Sequence, residues 1–138
     1  MTFAKGQSVA AKVDYNNQAC WVIAKVLDYN KQNKTYLIED LIPEDKAKQW
    51  TVSRYQLVQF PQNLKKIQKG QRLLALWYEE EINHWTTIFY PCQAIEVYQE
   101  NKHGKLSQNT VLKVKFDGDP KYTFVNSQWT ICPEQQQE

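Results

Sequence analysis

Cysteine, histidine and glycine are all scarce in this 138-residue chain, which has three Cys, two His and four Gly. Cys20, Cys92 and Cys132 stand far apart with no C-x-x-C pair, and His84 and His103 have no ligand partner at metal spacing. Neither a zinc site nor any other bound cofactor is expected. A Gly-rich phosphate loop, a nucleophile motif and a catalytic pairing of His with a carboxylate are all missing, which argues against an enzyme. No apolar run is long enough for a signal peptide or a membrane span. With the odd thiol count, that points to a reducing, soluble compartment, cytosol or nucleus. Excess charge of one sign is missing too. A formal net charge of +2 is far below that of proteins whose affinity comes from neutralising many phosphates, so generic nucleic-acid binding is disfavoured. Helical periodicity is also absent.

Aromatic residues, by contrast, make up 13% of the chain, ample material for a packed core. The sequence also repeats itself. Lys5-Gly6-Gln7-Ser8-Val9-Ala10-Ala11 recurs as Lys69-Gly70-Gln71-Arg72-Leu73-Leu74-Ala75, each a Gly-marked turn leading into a strand-like apolar run. Further on, Trp50-Thr51-Val52 through Gln56-Leu57 to Pro61 is matched to Tyr122-Thr123-Phe124 through Gln128-Trp129 to Pro133. Between these ends each copy carries two more β-rich runs, the second closing in acid: Tyr36-Leu37-Ile38-Glu39-Asp40 and Val114-Lys115-Phe116-Asp117. The expected fold is all-β: two tandem five-stranded SH3-like barrels packed side by side, over residues 4–61 and 69–133, with a linker at 62–68 and a tail at 134–138. Units of this size have too little interior to stand alone, so a shared apolar face is expected between them.

Where two copies share a scaffold, the positions at which one carries unusual chemistry are functional candidates. Overlaying the repeats sets Val13 on Trp77, Val22 on Tyr90 and Ile38 on Phe116, so three aliphatic residues become three aromatic ones on three different strands. Rings on adjacent strands of a curled sheet come within reach of one another and can wall one pocket. Such a pocket suits a methylated ammonium, because ring faces attract a cation without hydrogen bonds, whereas an unmethylated lysine would lose the water partners of its three N–H donors. The alternative that the three rings merely fill a larger barrel stays open on these residues alone. Trp21, Trp50, Tyr36, Phe124 and Trp129 are assigned to core or inter-unit packing, and Glu79-Glu80-Glu81 to a solvated loop beside Trp77.

Leu74-Ala75-Leu76-Trp77, Thr86-Thr87-Ile88-Phe89-Tyr90 and Val114-Lys115-Phe116-Asp117 resemble the second Tudor unit of the SAGA-associated factor 29 family. Val9-Ala10-Ala11-Lys12-Val13, Trp21-Val22-Ile23-Ala24-Lys25-Val26, Asn33-Lys34-Thr35-Tyr36-Leu37-Ile38-Glu39-Asp40 and Ser53-Arg54 resemble its first. The resemblance implies a nuclear, non-enzymatic reader of the histone H3 tail di- or trimethylated at its fourth lysine, serving a SAGA-type acetyltransferase complex. It carries the family's cage onto Trp77, Tyr90 and Phe116, with Tyr78, Trp85, Thr87 and Asp117 as further cage or peptide contacts. The family's acidic pair for the free histone amino terminus falls on Asn16 and Gln18, so Asp14, Glu39 or Asp40 are candidates to compensate. Tyr78 to Trp85 reads as an insertion. The family's coiled coil, which joins it to partner subunits, has no counterpart in this sequence. Other methyl-lysine or methylarginine marks, and a nucleic-acid or protein-bridging role, are the competing readings.

Overall fold

A computed structural model describes residues 2–15, 17–41, 48–62, 67–79, 84–98 and 110–135. Ten strands run through it: β1 (Ser8–Tyr15), β2 (Gln18–Asn30), β3 (Thr35–Asp40), β4 (Gln49–Ser53), β5 (Leu57–Gln59), β6 (Arg72–Glu79), β7 (His84–Tyr98), β8 (Val111–Phe116), β9 (Thr123–Asn126) and β10 (Thr130–Ile131). The helical residues described form short 3₁₀ turns, two of which, Arg54–Gln56 and Ser127–Trp129, join β4 to β5 and β9 to β10. All strand pairs are antiparallel, in the order β5-β1-β2-β3-β4 for one unit and β10-β6-β7-β8-β9 for the other. The chain is all-β, as its short alternating runs imply.

The repeat recurs at the level of single hydrogen bonds. Gly6 N–H donates to the Val26 carbonyl and Val26 N–H to that of Gln7, while Gly70 donates to Ala94 and Ala94 to Gln71. Both glycines have φ of 88°, a left-handed conformation that a side chain would strain. That explains why the Lys-Gly-Gln signature survives in both copies. A β-bulge interrupts β2 against β3 between Val26 and Asp28, and β7 against β8 between Ala94 and Glu96.

With these landmarks the register corrects two expected matches. Ala24 pairs with Asp40 and Val26 with Ile38, whereas Cys92 pairs with Phe116 and Ala94 with Val114. The counterpart of Phe116 is therefore Asp40, two residues beyond Ile38. Ile38 pairs with Trp50, and Val114 pairs with Thr123, so Trp50-Thr51-Val52 corresponds to Thr123-Phe124-Val125, one residue later than the sequence match. A slip of one residue exchanges the two faces of a strand. Val125 is accordingly the buried residue of β9 and Phe124 is 61% exposed, which overturns its assignment to the core. The other four placements stand: Tyr36 is core, Trp50 packs on it, and Trp21 and Trp129 border the contact between units.

Each unit has its own interior. Val9, Ala11, Val22, Val26, Ile38 and Leu57 are among the buried residues of the first, and Leu73, Ala75, Cys92, Leu112, Val114 and Phe116 of the second. A third cluster lies between them, where Ala10, Ile23, Val58 and Phe60 meet Leu76, Phe89 and Ile131. There β2 also pairs with β7, Trp21 opposite Phe89 and Val22 opposite Ile88, making one continuous sheet. Because both units bury this face, a single cooperative unfolding transition is expected by calorimetry. Phe89→Ala should lower stability by about 3–5 kcal/mol without splitting the transition; two separated melts would contradict a shared core.

Candidate functional site

Trp77, Tyr90 and Phe116 line one pocket of about 510 Å³, together with Pro91, Asp117, Gly118, Asp119 and Pro120. Their strands explain the convergence. On β6, Leu73, Ala75 and Trp77 alternate onto the inner face of the second unit, and Trp77 packs against its core. Trp77 sits where the β6–β7 pairing shifts register, between Leu76 opposite Phe89 and Tyr78 opposite Trp85, and such irregularities re-aim side chains. Phe89 turns into the inter-unit cluster, so alternation along β7 turns Tyr90 the other way. Phe116 closes β8 opposite Cys92.

The three rings stand at different depths. Phe116 is 3% exposed and belongs to the core, Trp77 is half-buried, and Tyr90 is 41% exposed. Trp77 meets Phe116 edge to face, centroids 4.9 Å apart and planes at 73°. Phe116 is thus a floor, Trp77 a wall and Tyr90 a rim. Core filling and pocket lining are not alternatives here, because Phe116 does both.

The fourth side of the pocket is a turn. Gly118, with φ of 84°, reverses the chain so that Asp119 N–H donates to the Phe116 carbonyl. The turn is tied to the sheet by Arg72, whose Nη1 donates to Asp117 Oδ1 at 2.9 Å while Nη2 pairs with Oδ2. This ion pair is half-exposed, and the guanidinium holds the Asp117 carboxyl below its ordinary range. Asp117 therefore brings little net negative charge to the pocket, since Arg72 offsets it. Asp119 also lines the pocket; its Oδ1 accepts from Lys121 N–H. Neither Arg72 nor Asp119 stood out in the sequence, because their roles depend on how the turn folds back. Behind the pocket, burial pushes the Cys92 thiol up to about 12, so it is inert packing.

A second concavity, about 650 Å³, runs between the units and shares Tyr90 and Pro91 with the first. Lys12, Tyr15, Gln18, Cys20 and Trp21 line it from one unit, and Leu74, Ile88 and Phe89 from the other. Of the candidates for a peptide amino terminus, Gln18 lines this groove and Asn16 lies outside the described residues. Asp14, Glu39 and Asp40 belong to the lining of neither pocket. Asp14 nonetheless acts on the groove: the Cys20 thiol is raised by burial first and by the Asp14 charge second. Glu39 accepts from the Gln49 amide, and Asp40 is buried at the end of β3. Tyr78, Trp85 and Thr87 sit on the outer reaches of β6 and β7, and their side chains lie outside those described. β6 is no longer than β1, since Glu79 pairs with His84 as Tyr15 pairs with Gln18, and the extra residues of this hairpin fall between Glu79 and Phe89.

Residues 5–132 match the family of the SGF29 tudor-like domain. The chain belongs to that family. No curated protein matches it. Membership makes this all-β pair of units a Tudor-type chromatin-reader module, of a kind whose task is binding rather than catalysis. Among the described residues no cluster of His, Cys, Asp or Glu is placed to hold a metal ion.

The Arg72–Asp117 pair has a checkable signature. Arg72→Gln is expected to raise the Asp117 titration midpoint toward the ordinary aspartate range, as followed by carboxyl NMR. The sign follows from the lowered folded value. Stabilisation by the pair is present above the ordinary aspartate midpoint and fades as pH falls through the depressed one. An unchanged midpoint in the variant would show that Arg72 does not hold the turn.

Proposed function

We propose that the Trp77–Tyr90–Phe116 pocket is a methyl-lysine cage, and that it reads the histone H3 tail di- or trimethylated at its fourth lysine. The observation that carries this reading is one opening lined by three rings from three strands, at floor, wall and rim. A quaternary or tertiary ammonium seated among them meets negative ring faces on several sides and has few or no N–H donors to leave unsatisfied. Ring geometry favours lysine over arginine. Trp77 and Phe116 stand at 73°, which encloses a rounded cation, whereas a planar guanidinium calls for rings stacked parallel to it.

The cage alone is not enough for a useful affinity. Three rings contribute roughly 2–5 kcal/mol, while a micromolar complex needs about 8 kcal/mol. The groove between the units supplies the remainder, since it adjoins the cage at Tyr90 and Pro91 and offers a trough for the peptide leading away from the methylated lysine. Its polar end carries Gln18, with the charge of Asp14 within electrostatic reach. A free amine there is met more weakly than by the family's acidic pair, so loss of that pair lowers affinity rather than methyl preference. Within this reading the units span 4–61 and 69–133, and the chain serves in the nucleus as the histone-reading part of a SAGA-type acetyltransferase complex.

Calorimetric titration of H3-tail peptides, unmodified and trimethylated at the fourth lysine, tests the reading. The native protein should prefer the trimethylated peptide at least tenfold, and Tyr90→Ala should abolish the preference while the fold is retained by circular dichroism. A Tyr90→Ala protein that still discriminates would remove this pocket from the function.

A further inference from the structure

The corrected register allows the outer faces of the two units to be compared position by position. Asn30 pairs with Thr35, and Tyr98 pairs with Val111; Thr51 pairs with Leu37, and Phe124 pairs with Lys113. Tyr98 thus stands where the first unit has Asn30, Phe124 where it has Thr51, and Tyr122 where it has Gln49. In the strand between them, Lys113 replaces Leu37 and Lys115 replaces Glu39. The second unit has exchanged polar residues for three rings and gained two positive charges on one face. No core demands this, because Tyr98, Tyr122 and Phe124 are 44%, 53% and 61% exposed.

The replacements form one surface. Tyr98 and Phe124 lie with ring centroids 6.2 Å apart and planes 35° from parallel. Lys113 Nζ lies 4.6 Å from the centre of the Tyr122 ring. The acid of this strip, Glu96, accepts from the Tyr98 hydroxyl, and Lys121 adjoins Tyr122 in sequence. Exposed rings on one face of a sheet, interleaved with lysines, suit a polymer that presents planar faces and regular negative charge. We propose that the outer face of β7–β8–β9 binds single-stranded nucleic acid, bases stacked on Tyr98 and Phe124 and phosphates met by Lys113, Lys115 and Lys121. A duplex hides its base faces, and an added peptide strand would pair with the backbone edge of β9, which among the described residues has β8 alone as its partner, rather than with rings on the face of the sheet. Modest overall charge fits a short, stacking-dominated footprint with few phosphate contacts. The face is separate from the pocket: along β8, Lys113 and Lys115 point outward while Val114 and Phe116 point into the core.

Fluorescence anisotropy with an unstructured labelled oligonucleotide of about 12 nucleotides, single-stranded and as its duplex, tests the proposal. The strand should bind several-fold tighter than the duplex, with a log–log salt slope of about −2 for three lysine contacts. Tyr98→Ala/Phe124→Ala should weaken binding at least about tenfold, Phe124→Trp should retain it, and Lys113→Leu/Lys115→Glu, which restores the first unit's residues, should weaken it and flatten the salt slope. Methylated-peptide affinity should not change in Tyr98→Ala/Phe124→Ala, so failure here is distinguishable from failure of the cage. Equal binding of the duplex, full affinity in the double-alanine protein, or no binding at about 50 mM salt would each overturn the proposal. So would a concentration-dependent dimer that the double-alanine variant dissolves, which would assign the face to a second copy of the chain.

Discussion

Burial of Phe89 in the seam between the units is the constraint on which the remaining structure depends. Alternation along an extended strand leaves no freedom once one residue is placed. With Phe89 packed against Phe60, centroids 5.4 Å apart, Tyr90 must face the other way, toward Trp77 and Phe116. The same seam pairs β2 with β7 and so brings Lys12, Tyr15 and Trp21 of one unit alongside Tyr90 and Pro91 of the other. A pocket in one unit and a groove between two are thereby set by one contact. The seam joins two small interiors, and the same contact orients the rings that line the pocket.

Chemistry differs between the units while the scaffold does not. The conserved glycine turns, matched bulges and paired hydrogen bonds keep both backbones in one register. Function can then be altered by side-chain replacement alone. In the first unit Val13, Val22 and Asp40 occupy the positions of Trp77, Tyr90 and Phe116, and all three are buried. In the second, Trp77, Tyr90 and Phe116 line an open pocket. Arg72 then fixes the turn that bounds it and offsets the charge of Asp117, so that a cation in the proposed cage would meet ring faces and the Asp119 carboxylate.

Much of this was legible in the sequence, and the parts that were not share a physical cause. The Lys-Gly-Gln turns revealed the repeat because their glycines obey a backbone requirement that side-chain divergence does not blur. Trp77 was matched correctly to Val13, since nothing interrupts the register between the turn and β6, and Tyr90 to Val22 despite the extra residues between Glu79 and Phe89, as the pairs Ala11–Val22 and Ala75–Tyr90 show. Phe116 was singled out through the wrong partner, Ile38, and still emerged on the inner face. A two-residue slip preserves the parity of a strand; a one-residue slip reverses it. Phe124 suffered the second kind of error and moved from supposed core to exposed surface. Each slip follows a connection that differs in length between the copies: that from β2 to β3 against β7 to β8 for Phe116, and that from β3 to β4 against β8 to β9 for Phe124. Arg72, Asp119 and the groove could not be read from periodicity at all, because turns and seams bring together residues that no local pattern connects.

Parity along β8 carries a further consequence for how the second unit is used. Val114 and Phe116 belong to its interior, and Lys113 and Lys115 to its exterior, so adjacent residues of one short strand serve opposite surfaces. A ligand against Phe116 and another against Lys113 need not compete, since the sheet itself lies between them. Nor are they independent of stability in the same way. Loss of Phe116 removes core packing together with the pocket floor, whereas loss of Phe124 removes an exposed ring whose unfolded-state environment differs little from its folded one. Exposed aromatic residues impose a solubility cost that burial would relieve, and in the first unit the corresponding positions carry Asn30, Gln49 and Thr51, which avoid it. Three such rings kept together on one face, beside lysines where the first unit has Leu37 and Glu39, are therefore better explained by something that covers them than by folding.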